Sequence, residues 1–205
     1  MYPTIQSFIQ EAITQFEFIP SQRKQALAKI AQYCLAKEKS AQQAFLVYIC
    51  THNSRRSHFG QVWAQVAANY YGFKHVQTFS GGTEATAFNP NAIQALRTMG
   101  FVITSNEEPV NPHYVVSFSE EANPVSCFSK RYDDLSNPQK DFCAVMTCND
   151  ADEKCPVIVG ASLRVATPFN DPKAFDGMVE QDAMYLERSK QIAIECLYVF
   201  STLVH

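Results

Sequence analysis

A short apolar segment that ends in a polar loop constrains the fold of this chain more than any other feature. Residues 44–50 form a continuous apolar run, Ala-Phe-Leu-Val-Tyr-Ile-Cys, and residues 51–57 are polar. Such a run predicts a strand buried on both faces. Residues 57–71 then carry apolar side chains at spacings of three and four, which predicts a helix. A strand, a loop and a helix in this order form half of a β-α-β unit and favour a parallel sheet.

Strands and helices continue to alternate along the rest of the chain. The predicted elements are, in order, a strand over 75–80, a turn at Gly81 and Gly82, a helix over 89–100, strands over 113–119, 141–148 and 162–167, and a closing helix over 178–203. The stretch between 113–119 and 141–148 is long enough to be an insertion with its own hairpin. The alternation predicts an α/β fold in which helices cover both faces of a parallel sheet.

The apolar pattern of the first 44 residues predicts a helical hairpin before this α/β unit. Apolar residues recur at helical spacing on both sides of Pro20, and Ser21 begins the second helix. An amphipathic stripe indicates only that one face is buried, so packing or dimerisation is the simplest role for the hairpin. We therefore divide the chain into a helical extension over residues 1–44 and an α/β domain over residues 45–205.

Composition excludes several classes of function. With 46% apolar residues in 205, the chain is long enough to bury one core. The balance of 17 basic and 20 acidic residues gives a net charge of -3, which favours neither nucleic acid nor an anionic membrane as a partner. No apolar run approaches the length of a membrane span, and the start of the sequence lacks the pattern of a signal peptide. We therefore expect a cytoplasmic protein.

The cysteines are best explained as thiols. Their number is seven, and an odd number in a chain without an export signal makes a disulfide framework improbable. Cys34 and Cys196 lie on apolar helical faces and are predicted to be core residues, and Cys127 receives no role.

The polar loop carries a pattern with chemical meaning, Cys50-x-x-Asn53-x-x-Arg56-Ser57. Between a strand and a helix N-terminus, backbone N–H groups converge on one point and bind an anion. The positive electrostatic potential of these groups and of the helix dipole also favours the thiolate form of a cysteine. Arg56 offers a planar bidentate fork to a tetrahedral oxyanion, and Ser57 offers a hydroxyl to the sulfur of Cys50. Asn53 tolerates the left-handed backbone that such a loop requires. The alternative, a buried cysteine before an ordinary surface loop, is disfavoured by this context.

These residues resemble the phosphate-binding loop of the low-molecular-weight protein tyrosine phosphatase superfamily, whose fold the thioredoxin-coupled arsenate reductases share. The resemblance spans about residues 45–178. It implies a three-layer α/β fold with a four-stranded parallel sheet, Cys50 and Arg56 as catalytic residues, and Asp171, before Pro172, as the general acid. It also implies an oxyanion site formed by the loop residues Thr51, His52, Asn53, Ser54, Arg55, Arg56 and Ser57.

A second pair of cysteines favours the reductase branch. Cys148 and Cys155 follow a predicted strand, and the segment resembles the redox segment of the arsenate reductases in its spacing, acidic filling and terminal proline. A relay needs one thiol that reaches the nucleophilic cysteine after it has reacted, and a second thiol that transfers the resulting disulfide to a position open to a reductant. A mobile loop would permit both. The acidic neighbours of the two cysteines oppose thiolate formation, so coincidence stays open as an alternative. A zinc site that includes Cys143 is disfavoured because a fourth ligand is lacking.

The resemblance implies an arsenate reductase in which Cys50, Cys148 and Cys155 act in turn and thioredoxin is the reductant. The alternative is a phosphatase that hydrolyses phosphate monoesters through a phosphocysteine at Cys50, for which Phe175 would face an aromatic substrate. A binding module without turnover is a third hypothesis. No metal and no cofactor are expected.

The sequence also departs from the family at three positions. His52 stands where arsenate reductases usually have glycine, and Arg55 stands where some have another cysteine. Gln61 replaces an acidic residue that is often found on the following helix, which puts the potassium site of some family members in doubt. His52 would narrow the loop or change its charge, and Arg55 would add positive potential or point to solvent.

Overall fold

A parallel sheet of four strands forms the centre of the structure, a computed structural model that describes residues 1–106, 108–154 and 157–204. The strand order is β2-β1-β6-β7, and every pair of neighbours is parallel. The strands are β1 (Ala44–Cys50), β2 (Val76–Gly82), β6 (Phe142–Met146) and β7 (Ala161–Ala166). The central pair β1 and β6 is almost entirely buried, as the continuous apolar runs predicted.

Helices cover both faces of this sheet and confirm the predicted three-layer α/β architecture. The helices are α1 (Pro3–Ile13), α2 (Ser21–Lys39), α3 (Arg56–Tyr70), α4 (Pro90–Thr98), α5 (Asn149–Lys154) and α6 (Gln181–Ser201), with short 3-10 turns over Phe16–Phe18 and Pro172–Phe175. One face of the sheet packs with α3 and α6 around Trp63, Tyr185 and Phe200. The other face packs around Phe142 and Ile158. No helix among the described residues combines the length and the apolar character that a membrane crossing requires.

Gly81 and Gly82 do not form the predicted turn but lie in β2, where Cys50 pairs with Gly82. A Cβ atom at Gly81 would lie 2.4 Å from the Cα atom of Tyr132, and one at Gly82 would lie 2.3 Å from the carbonyl oxygen of Glu84. The glycines therefore serve the close approach of neighbouring backbone, which a sequence pattern cannot distinguish from a turn.

A second sheet is formed by short antiparallel strands in the order β3-β4-β5. These strands are β3 (Val102–Ser105), β4 (Tyr114–Ser117) and β5 (Val125–Cys127). Residues 113–119 therefore do not continue the parallel alternation, and β3 was not predicted. Strands of three or four residues are too short for a periodic pattern to identify them.

The N-terminal helices share the apolar core of the α/β unit. Ile5, Ile9, Leu27 and Ile30 are fully buried in the cluster that also contains α3 and α6. The boundary between an extension over 1–44 and a catalytic domain over 45–205 stays a prediction.

Candidate active site

The predicted loop lies at the carboxyl end of the parallel sheet. Cys50 is the last residue of β1, and α3 begins at Arg56. The ends of β2 and β6 flank the loop, because Cys50 pairs with Gly82 and the N–H of Thr147 donates to the carbonyl of Ile49 at 2.7 Å. Ligands of open α/β sheets bind at this edge.

The carbonyl groups of the loop point away from its centre. Five of them accept a hydrogen bond from a donor outside the loop or from α3. These are Cys50 (from the N–H of Thr83, 3.2 Å), Thr51 (from the N–H of Glu84, 2.9 Å), His52 (from the hydroxyl of Ser129, 3.1 Å), Ser54 (from the N–H of Asn89, 2.9 Å) and Arg55 (from the N–H of Phe59, 3.0 Å). In a trans peptide the C=O and the following N–H point in opposite directions. The N–H groups that follow these carbonyls therefore turn inward, which is the geometry of an anion site.

Asn53 and Ser57 connect the loop to the sulfur of Cys50. The Nδ2 of Asn53 donates to the Oγ of Ser57 at 2.9 Å, and this Oγ lies 3.1 Å from the Sγ of Cys50. Ser57 accepts from Asn53, which leaves its own hydroxyl hydrogen available to donate to a thiolate at Cys50. Cys50 is 3% exposed, so almost none of its surface is open to solvent.

Replacing Asn53 with alanine should lower the free energy of unfolding by about 2–4 kcal/mol. Asn53 has a φ of 44°, and its buried Oδ1 accepts the N–H of Lys130 at 2.8 Å. Alanine is strained at this φ and leaves the N–H of Lys130 without an acceptor. Asn53→Gly is the matched control because glycine removes the same side-chain bonds but adopts positive φ freely, so it should lose roughly 1 kcal/mol less. Urea denaturation of both variants checks this, and equal losses would exclude a backbone contribution.

Arg56 and Asp171 form a close ion pair beside the loop. The Nη2 of Arg56 donates to the Oδ2 of Asp171 at 2.6 Å, and its Nη1 donates to the carbonyl of Phe169 at 2.8 Å. The Nε of Arg56 is buried and has no acceptor among the described residues. The guanidinium therefore keeps a free N–H while it holds the segment that carries Asp171.

Arg55 does not point to solvent. Its side chain is 11% exposed, its Nε donates to the hydroxyl of Tyr185 at 2.8 Å, and its Nη2 lies 3.5 Å from the carboxylate of Asp176. Tyr185 donates to Asp176 at 2.6 Å, and burial, with help from this carboxylate, raises the pKa of Tyr185 to about 12. Arg55 thus joins the loop to α6 and to the segment after Asp171. Tyr185 and Asp176 were missed by sequence reasoning, because neither lies in a pattern that sets it apart from ordinary surface and core residues.

Cys148 lies next to the loop, at the end of the neighbouring strand. Its side chain is 1% exposed, and its Sγ lies 3.5 Å from the Oγ1 of Thr51. The segment that follows is not the predicted mobile loop but the short helix α5, whose Ala151 N–H donates to this sulfur at 3.4 Å. Cys155 lies outside the described residues. Within the described ranges, no three His, Cys, Asp or Glu side chains are grouped as metal ligands.

The insertion braces the loop from the side of β2. The hydroxyl of Ser129 donates to the carbonyl of His52, and the ring of His52 itself lies on the rim, 3.5 Å from the carboxylate of Glu84.

Two polar residues of α3 are buried behind the loop. Burial, assisted by the nearby charge of Lys130, lowers the pKa of His58 to about 3, so this first-turn residue of α3 is neutral. Gln61 is buried and accepts from Ser80 at 2.6 Å.

Comparison with known proteins agrees with this geometry, although no family model matches the chain. The arsenate reductase of Bacillus subtilis is 26% identical over 143 residues, which cover 70% of this chain and 84% of the relative. That of Bacillus licheniformis is 27% identical over 147 residues, with the same shares covered. A solved low-molecular-weight phosphotyrosine phosphatase from Vibrio cholerae O395 superposes with a TM-score of 0.51 at 14% identity, over 78% of this chain and 96% of that one. The chain therefore has the fold of the low-molecular-weight protein tyrosine phosphatases and is similar in sequence to arsenate reductases, which confirms the predicted resemblance to this superfamily.

Proposed function

We propose that this chain is an arsenate reductase in which Cys50 is the nucleophile and Cys148 is the second thiol of a relay. The observation that carries the proposal is the position of Cys148, whose sulfur lies 3.5 Å from the hydroxyl of Thr51, the residue after Cys50. A hydrolase has no need of a second thiol there. The similarity to arsenate reductases supports the same reaction.

The first step forms a bond between sulfur and arsenic. The inward N–H groups of residues 51–53, 55 and 56 and the guanidinium of Arg56 bind the arsenate oxygens and stabilise charge that develops on them. The sulfur of Cys50, which accepts the hydroxyl of Ser57, attacks arsenic. Asp171 gives a proton to the departing oxygen, which leaves as water.

The second step reduces arsenic with electrons from two thiols. The thiolate of Cys148 attacks the sulfur of Cys50, a disulfide forms, and the electron pair of the As–S bond stays on arsenic as arsenite leaves. Cys155 then attacks Cys148, which releases Cys50 as a thiol and leaves a disulfide between 148 and 155. A dithiol reductant such as thioredoxin reduces this disulfide to two thiols, becomes oxidised itself and completes the cycle.

A coupled assay tests the proposal. Thioredoxin, thioredoxin reductase and NADPH are supplied, and NADPH should be consumed only when both the chain and arsenate are present. Mass spectrometry after one equivalent of arsenate should find cysteines 148 and 155 linked. A chain that binds arsenate but leaves all thiols free would exclude the reductase.

Hydrolysis of phosphate monoesters is the second candidate, and a groove beside Asp171 favours it. The groove of about 840 Å³ adjoins Phe169 and Asn170 and is far larger than a single oxyanion requires. In this reaction Cys50 takes the phosphoryl group, Asp171 protonates the leaving oxygen, and the same carboxylate then activates water.

Replacing Asp171 with asparagine should lower kcat for phenyl phosphate by about 10²–10³-fold. Asparagine fills the same space and keeps an oxygen for Arg56, but it has no proton to give to a basic phenolate. Hydrolysis of 4-nitrophenyl phosphate, whose leaving group needs little protonation, should fall much less. Steady-state kinetics with both esters provides the measurement. An equal loss for the two esters would show that Asp171 acts on the loop and not as the acid.

A further inference from the structure

A further cavity lies between β2, an edge strand of the parallel sheet, and β5, an edge strand of the antiparallel one. Its volume is about 450 Å³, within the usual range for ligand sites. Gln61 joins its two walls, because its Nε2 donates to the carbonyl of Thr78 in β2 at 3.3 Å and to that of Ser126 in β5 at 3.0 Å. None of the loop residues 50–57, all of which the structure describes, lines this cavity, so it is separate from the candidate active site.

The cavity contains a lysine that lacks a carboxylate partner. Lys130 lines it and is only 5% exposed, and the Nζ of this side chain lies 4.1 Å from the centre of the Phe128 ring. Lys130 makes no ion pair with any residue in the described ranges 1–106, 108–154 and 157–204. The face of an aromatic ring replaces only part of the solvation that an ammonium group loses on burial. An anion beside Nζ would therefore stabilise the charged form of Lys130.

The neighbouring acidic groups do not neutralise this lysine. Burial lowers the pKa of Lys130 and outweighs the opposing effects of Cys127 and Asp134. Burial also raises the pKa of Cys127 to about 12, so this thiol is uncharged at neutral pH. The Oδ1 of Asp134 instead accepts the N–H and the hydroxyl of Ser136, at 2.9 and 2.6 Å. No aspartate or glutamate of the described residues lines the cavity, whereas the exposed Lys74 does, so its walls present positive charge.

We infer that this cavity binds a small aromatic carboxylate, whose charged group pairs with the ammonium of Lys130. The rings of Phe79 and Phe128 line the cavity and offer apolar surface to the body of such a ligand. The exposed amides of Gln77 and Asn123 provide further hydrogen-bond donors. An inorganic anion would leave both rings and most of the volume uncovered, which favours an organic one. The inference does not depend on which reaction the loop performs.

Titration of the full chain with 2-naphthoate tests the inference, and 2-naphthamide is the matched neutral probe. The two molecules share one ring system and have nearly the same size, so a difference in their affinities reports on charge. Isothermal titration calorimetry should show that naphthoate binds about tenfold more tightly than naphthamide. Lys130→Met keeps the length of the side chain and the main-chain bonds but has no charge, so it should weaken naphthoate alone and remove the difference.

Lys140→Met is the matched control, because Lys140 belongs to the same insertion but is exposed and does not line the cavity. It removes the same charge and should keep the preference for naphthoate. A second pair of variants leaves the interior unchanged. Gln77→Glu adds a carboxylate to the exposed part of the cavity wall and should weaken naphthoate about threefold, whereas Gln25→Glu, on α2 and outside the cavity, should not.

Equal affinities for naphthoate and naphthamide would overturn the inference, as would equal effects of Lys130→Met and Lys140→Met. If Lys130→Met does not fold, Gln77→Glu decides, and unchanged naphthoate binding in that variant would exclude the cavity. Saturating inorganic phosphate should leave naphthoate binding unchanged, whereas displacement by phosphate would place naphthoate in the loop and contradict the inference. Failure of phosphate to bind would count against the loop proposal alone.

Discussion

Cys50→Ser should abolish arsenate reduction and aryl phosphate hydrolysis together, with losses on the order of 10⁴-fold or more. Both proposed reactions begin with the same sulfur at the base of the loop. A serine hydroxyl is a far weaker nucleophile than a thiolate, because it stays protonated at neutral pH. The Oγ of Ser57, 3.1 Å from the sulfur, and the inward N–H groups would surround the serine without making it reactive.

The same variant should still bind inorganic phosphate, because the loop N–H groups and Arg56 are unchanged. Cys196→Ser is the matched control: Cys196 is equally buried, and its sulfur contacts the hydroxyl of Tyr48 and the carbonyl of Gly60, which accept a serine hydroxyl in its place. The measurements are the rates of both reactions and the binding of phosphate, determined for both variants. Turnover by Cys50→Ser above the background rate would exclude Cys50 as the nucleophile in that reaction.

The sequence allowed the loop to be predicted because its determinants are local. The strand over 44–50, the left-handed residue Asn53 and the helix from Arg56 lie within one short segment, and each has a propensity that no distant contact overrides. The helix predicted over 89–100 has a local determinant as well, because the side chain of Asn89 caps it by accepting from the N–H groups of residues 91 and 92.

Features that depend on distant contacts were not predictable in this way. Tyr185 lies 130 positions after Arg55, and no sequence pattern indicates that the two side chains meet. Gly81 and Gly82 have the composition of a turn, but Gly81 is required by the approach of the insertion at Tyr132 and Gly82 by the approach of backbone atoms of Glu84 and the loop. The predicted mobile loop after Cys148 is α5, because one short turn of helix carries too little periodicity to be recognised.

A network of charges around Asp171 has a consequence for both proposed reactions. Arg56 occupies one carboxylate oxygen of Asp171 at 2.6 Å, and Arg55 lies 4.0 Å from the other. An oxyanion in the loop competes with Asp171 for Arg56, whereas Arg55 stays fixed by Tyr185 and Asp176. Arg55 is therefore placed to hold Asp171 near the loop when Arg56 turns to the substrate. A shorter, uncharged side chain at this position could not do so.

Cys148→Ser should separate the two proposed reactions. Steady-state arsenate reduction should fall by about 10²-fold or more, because a hydroxyl cannot attack the sulfur of Cys50 to form a disulfide. Hydrolysis of an aryl phosphate should stay within about twofold of the native rate, since neither attack on phosphorus nor protonation by Asp171 needs Cys148. The serine Oγ still reaches the hydroxyl of Thr51, which lies 3.5 Å from the native sulfur, so the loop should keep its shape.

The pattern of losses identifies the enzyme. Parallel assays of Cys148→Ser with arsenate and with 4-nitrophenyl phosphate, each compared with Cys196→Ser, provide the measurement. Loss of arsenate turnover alone supports the relay and with it the reductase. Normal arsenate turnover would show that Cys148 passes no electrons. If hydrolysis is robust while the native chain fails to reduce arsenate, the buried thiol beside Thr51 is a packing residue, and the groove beside Asp171 then indicates the substrate.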